Sequence, residues 1–228
     1  MIDHHFENLY KKMKKYKRPQ KFYNNNISSK KLIGAFIDVQ TNKLVSSNQS
    51  IDKLIKLSIV KFEYSFDGKI YCVLDELLQY QDPQETLPAS LTKELGISTS
   101  QLKNEYFNID EIIKFLDDIN LIITYNAEYK KSLLQYNFPI LAKTESIEDT
   151  KWLCLRNDVE WYNEQVGLLN FEHIAYKHGC VFDANKLNNN CLAGIYILAQ
   201  RHLNSEKYIL SCLLQSSRTM TKDVSNAT

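Results

Sequence analysis

The sequence predicts an α/β fold, a mixed central β-sheet flanked by helices. Three strand-like segments come first, and the later segments alternate between helical and strand patterns. The second and third strands are separated by Asp67-Gly68, a strong β-hairpin signal, so they should pair in antiparallel fashion. The first strand carries an acid, Asp38, near its carboxyl end, where ligands of such folds collect. A binding site is therefore expected beside this residue.

The predicted strands are short segments that are either apolar, as Leu32–Val39 and Leu121–Thr124 are, or loosely alternating, as Leu54–Ser65 is. A loop carrying Pro83 and Pro88 follows the third of them. The predicted strands are Leu32–Val39, Leu54–Ser65, Lys69–Leu78, Leu121–Thr124 and a weaker one near Ser146–Leu153.

The predicted helices are recognised by apolar residues three and four apart and by the residues at their ends. Ser98 and Asn126 are expected as N-caps, and Gly96 and Gly179 are expected just after helix ends. The predicted helices are Leu91–Leu95, Gln101–Tyr106, Ile109–Ile119, a helix after Asn126 that carries Leu133 and Leu134, Asn170–His178, Leu192–Leu203 and Glu206–Gln215.

Composition predicts a soluble protein that lacks a strong overall field. The chain has 228 residues, and its 28 basic and 27 acidic side chains leave a formal charge of +1. Attraction to nucleic acid or membrane must then be local. The apolar run Ala193–Ala199 is about seven residues long, against roughly 20 for a membrane span. The five cysteines form no CxxC pair and there is no Sec signal, so we expect a cytoplasmic protein, with export by another route left open.

Three regions are predicted along the chain: a basic helix and linker over residues 1–30, a main domain over 31–205, and a helix with a polar tail over 206–228. Basic residues crowd between Lys11 and Lys21. Two interpretations of this first helix stay open. It is either a phosphate-binding or membrane-surface arm, or a helix docked on the domain with solvated lysines. The docking stripe would be Phe6, Leu9, Met13 and Tyr16.

Four segments of the main domain resemble, in order, the motifs of proofreading-type 3′–5′ exonucleases. This is the DEDD or DnaQ-like family, which includes the epsilon subunit of bacterial DNA polymerase III. The resemblance extends over residues 32–203 and implies a ribonuclease H-like fold. The segments are FIDVQTNKL at Phe36–Leu44, LGIS at Leu95–Ser98, ITYNAEYKKSLL at Ile123–Leu134 and FEHIAYKHGCVFDANKLNNNCLAGIYILAQ at Phe171–Gln200.

The resemblance also implies a catalytic site that this chain has lost. In the family, four carboxylates bind two divalent metals and a histidine is the general base. Asp38 is the only retained ligand, and Gln40 stands where the family has glutamate. Lys130 replaces the second-motif aspartate, Asn185 the histidine and Asn190 the last aspartate. A carboxylate and an ammonium sum to zero charge where the family has −4, so no bound metal is expected.

The expected function is that of a degenerate, catalytically inactive exonuclease homologue, a pseudoenzyme. An amide such as Asn185 has no titration near neutral pH and cannot act as a base. A residual exonuclease activity that depends on Mg²⁺ or Mn²⁺ stays open as an alternative. It would require Glu128 or Asp183 to replace a lost ligand.

Two further functions are compatible with such a scaffold. The first is metal-independent binding of single-stranded DNA or RNA ends, with Lys130 as a point charge for phosphate. Tyr125 and Tyr129 would stack on bases, and Thr41 and Asn126 would line the groove. The second is a protein-interaction module that keeps the exonuclease scaffold for its surfaces.

Overall fold

The structure is a computed structural model. It describes residues 30–43, 52–140, 150–161, 170–202 and 205–216. The predicted basic helix and linker over residues 1–30, apart from Lys30, the first residues of the weak strand, and the polar tail after Ser216 lie outside these ranges.

The centre of the fold is one mixed five-stranded sheet, which confirms the predicted fold class. The strand order is β3-β2-β1-β4-β5. The first three strands pair in antiparallel fashion, whereas β4 runs parallel to β1 and β5 runs parallel to β4. The strands are β1 (Lys31–Thr41), β2 (Leu54–Ser65), β3 (Ile70–Tyr80), β4 (Leu121–Thr124) and β5 (Lys151–Cys154).

The hairpin between β2 and β3 forms at the predicted turn. Gly68 has a φ of 81°, a left-handed conformation that favours glycine. The turn is closed by backbone hydrogen bonds from Ser65 N to Lys69 O and from Gly68 N to Ser65 O, both 2.9 Å. The Asp67-Gly68 signal therefore identified the correct pairing.

Helices cover the sheet and connect its strands. They are α1 (Ala89–Leu95), α2 (Thr99–Leu102), α3 (Ile109–Leu116), α4 (Ala127–Asn137), α5 (Phe171–Lys177) and α6 (Leu187–Leu198), and residues 209–216 are also helical. Among the described residues, no helix is both long enough and apolar enough to cross a bilayer.

Two predicted helices are displaced along the chain. The helix predicted over Gln101–Tyr106 is the single turn α2, because a capping box at Ser98 starts it early and Asn104 takes a left-handed φ of 64°. The helix predicted over Leu192–Leu203 is α6, which begins at Leu187 and ends at Leu198. Its first turn is the polar run Asn188–Asn190, which an apolar-spacing rule does not detect.

Strand β1 separates the two main parts of the core, because its side chains alternate between the faces of the sheet. Phe36 packs in the cluster on the α6 face, with Cys191 and Ile195. Ile37 packs in the cluster on the other face, with Ile112 of α3 and Leu133 of α4. Two residues after Phe36, Asp38 lies on the face of the sheet that α6 covers.

Gly194 allows α6 to lie directly on β1. A Cβ atom at this position would come within 3.0 Å of the buried Phe36 ring, closer than real Cβ contacts. We expect Gly194→Ala to destabilise the protein by about 1–3 kcal/mol through overpacking. Chemical denaturation would measure this loss. If the ring is the cause, Phe36→Leu should reduce the cost of Gly194→Ala in the double variant; strictly additive effects would contradict the explanation.

Candidate functional site

The candidate site is centred on Asp38, whose side chain is buried at the end of β1. The residue is 7% exposed. Lys130 Nζ donates a hydrogen bond to Asp38 Oδ1, and Asn190 Nδ2 donates one of 2.8 Å to Asp38 Oδ2. Asp38 Oδ1 also accepts from Val39 N at 3.0 Å. Both carboxylate oxygens are therefore engaged by donors of the protein itself.

Three separate elements bring these side chains together. Asp38 comes from β1, and Lys130 comes from the first turn of α4, which follows the neighbouring parallel strand β4. Asn190 comes from the first turn of α6, which lies across β1 and β2. Three of the five motif positions predicted from the sequence thus meet in one cluster.

The ion pair at the centre of the cluster is largely removed from solvent. The side chains of Lys130 and Asp38 are 13% and 10% exposed. In such surroundings charges interact more strongly than at the surface, and leaving either one unpaired is costly. The cluster thus holds an ammonium directly against the Asp38 carboxylate.

A second buried lysine, which sequence reasoning missed, stands on the other side of Asp38. Lys56 of β2 is 5% exposed and lies opposite Gln40 of β1 in the strand register. Its Nζ lies 5.6 Å from the centroid of the Tyr80 ring. The Lys56 ammonium makes no hydrogen bond or ion pair with the described part of the chain. The available signal was a lysine inside the predicted strand Leu54–Ser65.

The surroundings of Lys56 disfavour its charged form. Burial lowers the pKa of Lys56, and the negative charges of Asp38 and Asp183 oppose that shift only in part. A lysine whose pKa is lower in the folded state binds fewer protons there than in the unfolded chain. The folded state therefore carries a cost at neutral pH that decreases as the pH rises toward the ordinary lysine range.

The other two motif positions do not join the cluster in the same way. Gln40 lies beside the β-bulge that ends the β1–β2 pairing, and its Oε1 is buried without a donor among the described residues. Asn185 is exposed in the loop before α6, where its backbone N donates to Asp183 Oδ1 at 3.2 Å. Thr41 donates its hydroxyl to Lys43 O at 3.0 Å.

A cleft of about 310 Å³ opens above the Asp38 cluster. Three of its aromatic residues contact one another: the ring centroids of Tyr125 and Phe171 are 5.3 Å apart, and those of Phe171 and Phe182 are 5.5 Å apart. Most of the other lining residues are polar. The residues that line the cleft are Phe36, Asp38, Tyr125, Lys130, Asn170, Phe171, Glu172, Phe182, Ala184 and Asn190.

The two tyrosines predicted to stack on bases are placed differently. Tyr125 lines the cleft, and burial raises the pKa of its hydroxyl. Tyr129 is not among the residues that line it. Its hydroxyl donates to Asp52 Oδ2 at 3.1 Å, and burial together with the Asp52 charge raises its pKa.

The prediction that the Asn126 side chain caps α4 is wrong. Asn126 does occupy the N-cap position, but its φ of 66° is left-handed and its side chain makes no capping hydrogen bond. The first amide of the helix, Ala127 N, instead donates to Cys154 Sγ at 3.4 Å. A left-handed residue directs its side chain differently from the extended N-cap that the capping rule assumes.

The side chains around Asp38 do not fit a pair of divalent metals. Mg²⁺ and Mn²⁺ require several oxygen ligands, mostly anionic. Over the described ranges, no group of three or more His, Cys, Asp or Glu residues is arranged to hold a metal ion. Glu128 and Asp183, the acids that residual activity would require as replacement ligands, are both exposed, and Asp183 accepts from the Asn185 backbone.

Comparisons with known proteins identify the fold. No protein-family model and no curated protein sequence matches this chain. Solved structures do match. The nuclease domain of 3′hExo, a DEDDh family member bound to rAMP, superposes with a TM-score of 0.55 at 13% identity, covering 84% of this chain and 92% of that one. This chain has the DnaQ-like exonuclease fold. The ribonuclease H-like architecture predicted from the sequence is thereby confirmed.

Structures of exonuclease I share this exonuclease fold. E. coli exonuclease I in complex with a 5cy-dA13 oligonucleotide gives a TM-score of 0.53 at 14% identity over 74% of this chain, which spans 40% of that protein. Exonuclease I in complex with the inhibitor BCBP gives 0.57 at 12% identity, with 85% and 46% of the two chains covered. At these identities the likeness establishes the fold, and the function has to be argued from the site.

Proposed function

We propose that this exonuclease-fold chain binds single-stranded nucleic acid ends without metal and does not hydrolyse them. The observation that carries the proposal is the ion pair between Lys130 and Asp38. The Lys130 ammonium pairs with Asp38, the one metal ligand that the family resemblance gives as retained. A lysine side chain thus provides the positive charge that a metal ion would provide in the family.

Loss of hydrolysis follows from what the cluster lacks. Attack of water on a phosphodiester needs a group that takes a proton from the water and cations that stabilise the attacking and leaving oxygens. Asn190 and Gln40 are neutral amides, and Asn185 has no basic atom near neutral pH. Asp38 already accepts from Lys130 and Asn190. No described residue of the cluster is therefore available as the base.

Nucleic acid binding is supported by the shape and chemistry of the cleft. Lys130, Asn170 and Asn190 offer donors to a phosphate or sugar, and Tyr125 and Phe171 offer an aromatic wall to a base. Among proteins with the same fold, the 3′hExo nuclease domain was solved bound to rAMP and exonuclease I with oligonucleotides. The combination of a cation with stacking groups is typical of sites for single strands.

Binding of labelled single-stranded DNA and RNA in the presence of EDTA tests the proposal. Fluorescence anisotropy should give a dissociation constant below about 100 µM at low salt. Tyr125→Ala should weaken binding about 5- to 100-fold by removing a stacking surface. Tyr136→Ala is the matched control, because Tyr136 is an exposed tyrosine of α4 outside the cleft.

Two results of this experiment would contradict the proposal. Absence of binding below about 100 µM for both polymers would leave the protein-interaction module as the better interpretation. Equal weakening by Tyr125→Ala and Tyr136→Ala would mean that strands bind the surface of the domain without using the cleft.

A further inference from the structure

The buried charges around Asp38 do not cancel. Asp38 contributes one negative charge, whereas Lys130 and Lys56 contribute two positive ones. The nearby acids Glu172 and Asp183 are exposed, so solvent and salt screen them far more strongly. Asp38, Lys130 and Lys56 together therefore carry one positive charge, and among the described residues Lys56 is the one of these two lysines that makes no ion pair with a carboxylate. The partly buried Glu76 accepts from Asn188 of α6 and makes no hydrogen bond or ion pair with Lys56.

An unpaired buried ammonium calls for an explanation, because burial penalises charge and natural sequences seldom keep such a group. A buried hydrogen-bond acceptor lies on the neighbouring strand. Gln40 faces Lys56 across the β1–β2 pair, and its Oε1 is buried without a donor among the described residues. Lys56 thus lies opposite a neutral acceptor, Gln40, and within electrostatic range of a charged one, Asp38, and its side chain is hydrogen-bonded to neither.

Binding of a phosphate by Lys130 creates the need for a second cation. The Lys130 ammonium has three N–H groups, so it can donate to a phosphate oxygen and to Asp38 Oδ1, but its single positive charge is then shared between two anions. That sharing would leave a buried carboxylate only partly neutralised next to a bound anion. Two like charges in such surroundings repel strongly, and the other donors to Asp38, Asn190 Nδ2 and Val39 N, are neutral.

We propose that Lys56 neutralises Asp38 when Lys130 turns to a phosphodiester of the bound strand. We call this step partner exchange. Asp38 pairs with Lys56 in place of Lys130, and Lys130 pairs with the phosphate in place of Asp38. The inference rests on the proposed function. Lys56 is on this view a positioning residue, since it acts through Asp38 and Lys130 and need not contact the strand.

The first test compares two buried lysines of β2. Lys56→Met should weaken binding of a labelled single strand in EDTA about tenfold, within the range typical of coupled sites. It should also reduce the slope of log affinity against log salt by about 0.7, the value for one phosphate contact on a single strand. Lys61→Met is the control, because Lys61 is 9% exposed but pairs with Asp118, away from the cleft. It should bind within about twofold of wild type.

The second test distinguishes partner exchange from a merely structural role. Asp38→Asn removes the charge that Lys56 is proposed to neutralise. The double variant Asp38→Asn/Lys56→Met should therefore bind within about threefold of Asp38→Asn alone, because the coupling between the two positions disappears. A tenfold loss that persists in the Asp38→Asn background would overturn the proposal. So would a Lys56→Met protein that binds like wild type.

Folding and the underlying function are checked in the same series. Lys56→Met removes an unpaired buried charge, so its Tm should stay the same or rise by about 2–4 °C. If the methionine variant fails to fold, Lys56→Gln provides the same loss of charge with a polar side chain. Failure of the wild-type protein to bind any strand would refute the proposed function, whereas normal binding by both Lys56 variants would refute partner exchange alone.

Discussion

A variant that carries Gln40→Glu, Lys130→Asp, Asn185→His and Asn190→Asp is expected to gain Mn²⁺-dependent digestion of labelled single strands, an activity that we propose the wild-type protein lacks. The changes convert one buried carboxylate paired with an ammonium into four carboxylates. Each charge contact is worth on the order of 4 kcal/mol at 4 Å and an effective dielectric of 20. The gain should exceed about 100-fold over wild type, the usual minimum contribution of a general base.

The positions of these residues predict which substitutions restore metal binding and which restores only the rate of hydrolysis. Positions 38, 130 and 190 already meet in one cluster, so the triple variant without Asn185→His should bind Mn²⁺ as tightly as the quadruple variant in calorimetry. Asn185 lies in an exposed loop, and its replacement by histidine should change only the rate. Wild-type digestion that is abolished by Asp38→Ala would contradict the proposed inactivity. A quadruple variant that folds but binds no metal would contradict the assignment of these positions.

Lys130→Met is expected to destabilise the folded protein by about 3 kcal/mol, because removal of one partner leaves the buried Asp38 charge poorly compensated. For a domain of this size the Tm should fall by about 6–12 °C. Urea denaturation and thermal unfolding would measure the loss. In the double variant Asp38→Asn/Lys130→Met most of the cost should disappear, because the charge that needed a partner is gone.

The matched control for this variant is its neighbour in α4. Lys131 lies over the Trp152 ring, 5.8 Å from its centroid, and Lys131→Met should cost about 1 kcal/mol or less. A Lys130→Met protein as stable as wild type would mean that Asp38 does not depend on Lys130. In that case Lys56 would already neutralise Asp38 in the free protein, and binding should not require partner exchange.

Much of the scaffold follows from local sequence. The β2–β3 hairpin is encoded by Asp67-Gly68, and α1 ends where Gly96 takes a left-handed φ of 63°. Strands Leu54–Ser65 and Leu121–Thr124 begin and end at the residues predicted for them. These features depend on residues close together in the chain, so turn chemistry and apolar spacing were enough to predict them. To predict that Asp38, Lys130 and Asn190 lie together, the family resemblance was needed as well.

Only the tertiary structure decided which polar groups share the site. Lys56 is buried beside Asp38 because the register of β1 and β2 places it opposite Gln40 and because α6 covers that face of the sheet. Tyr125 and Tyr129 are four residues apart, yet one lines the cleft and the other bonds to Asp52. Burial and pairing depend on what distant segments place over a residue. A local sequence pattern therefore identifies a charged or polar side chain, and long-range packing determines which group that side chain contacts.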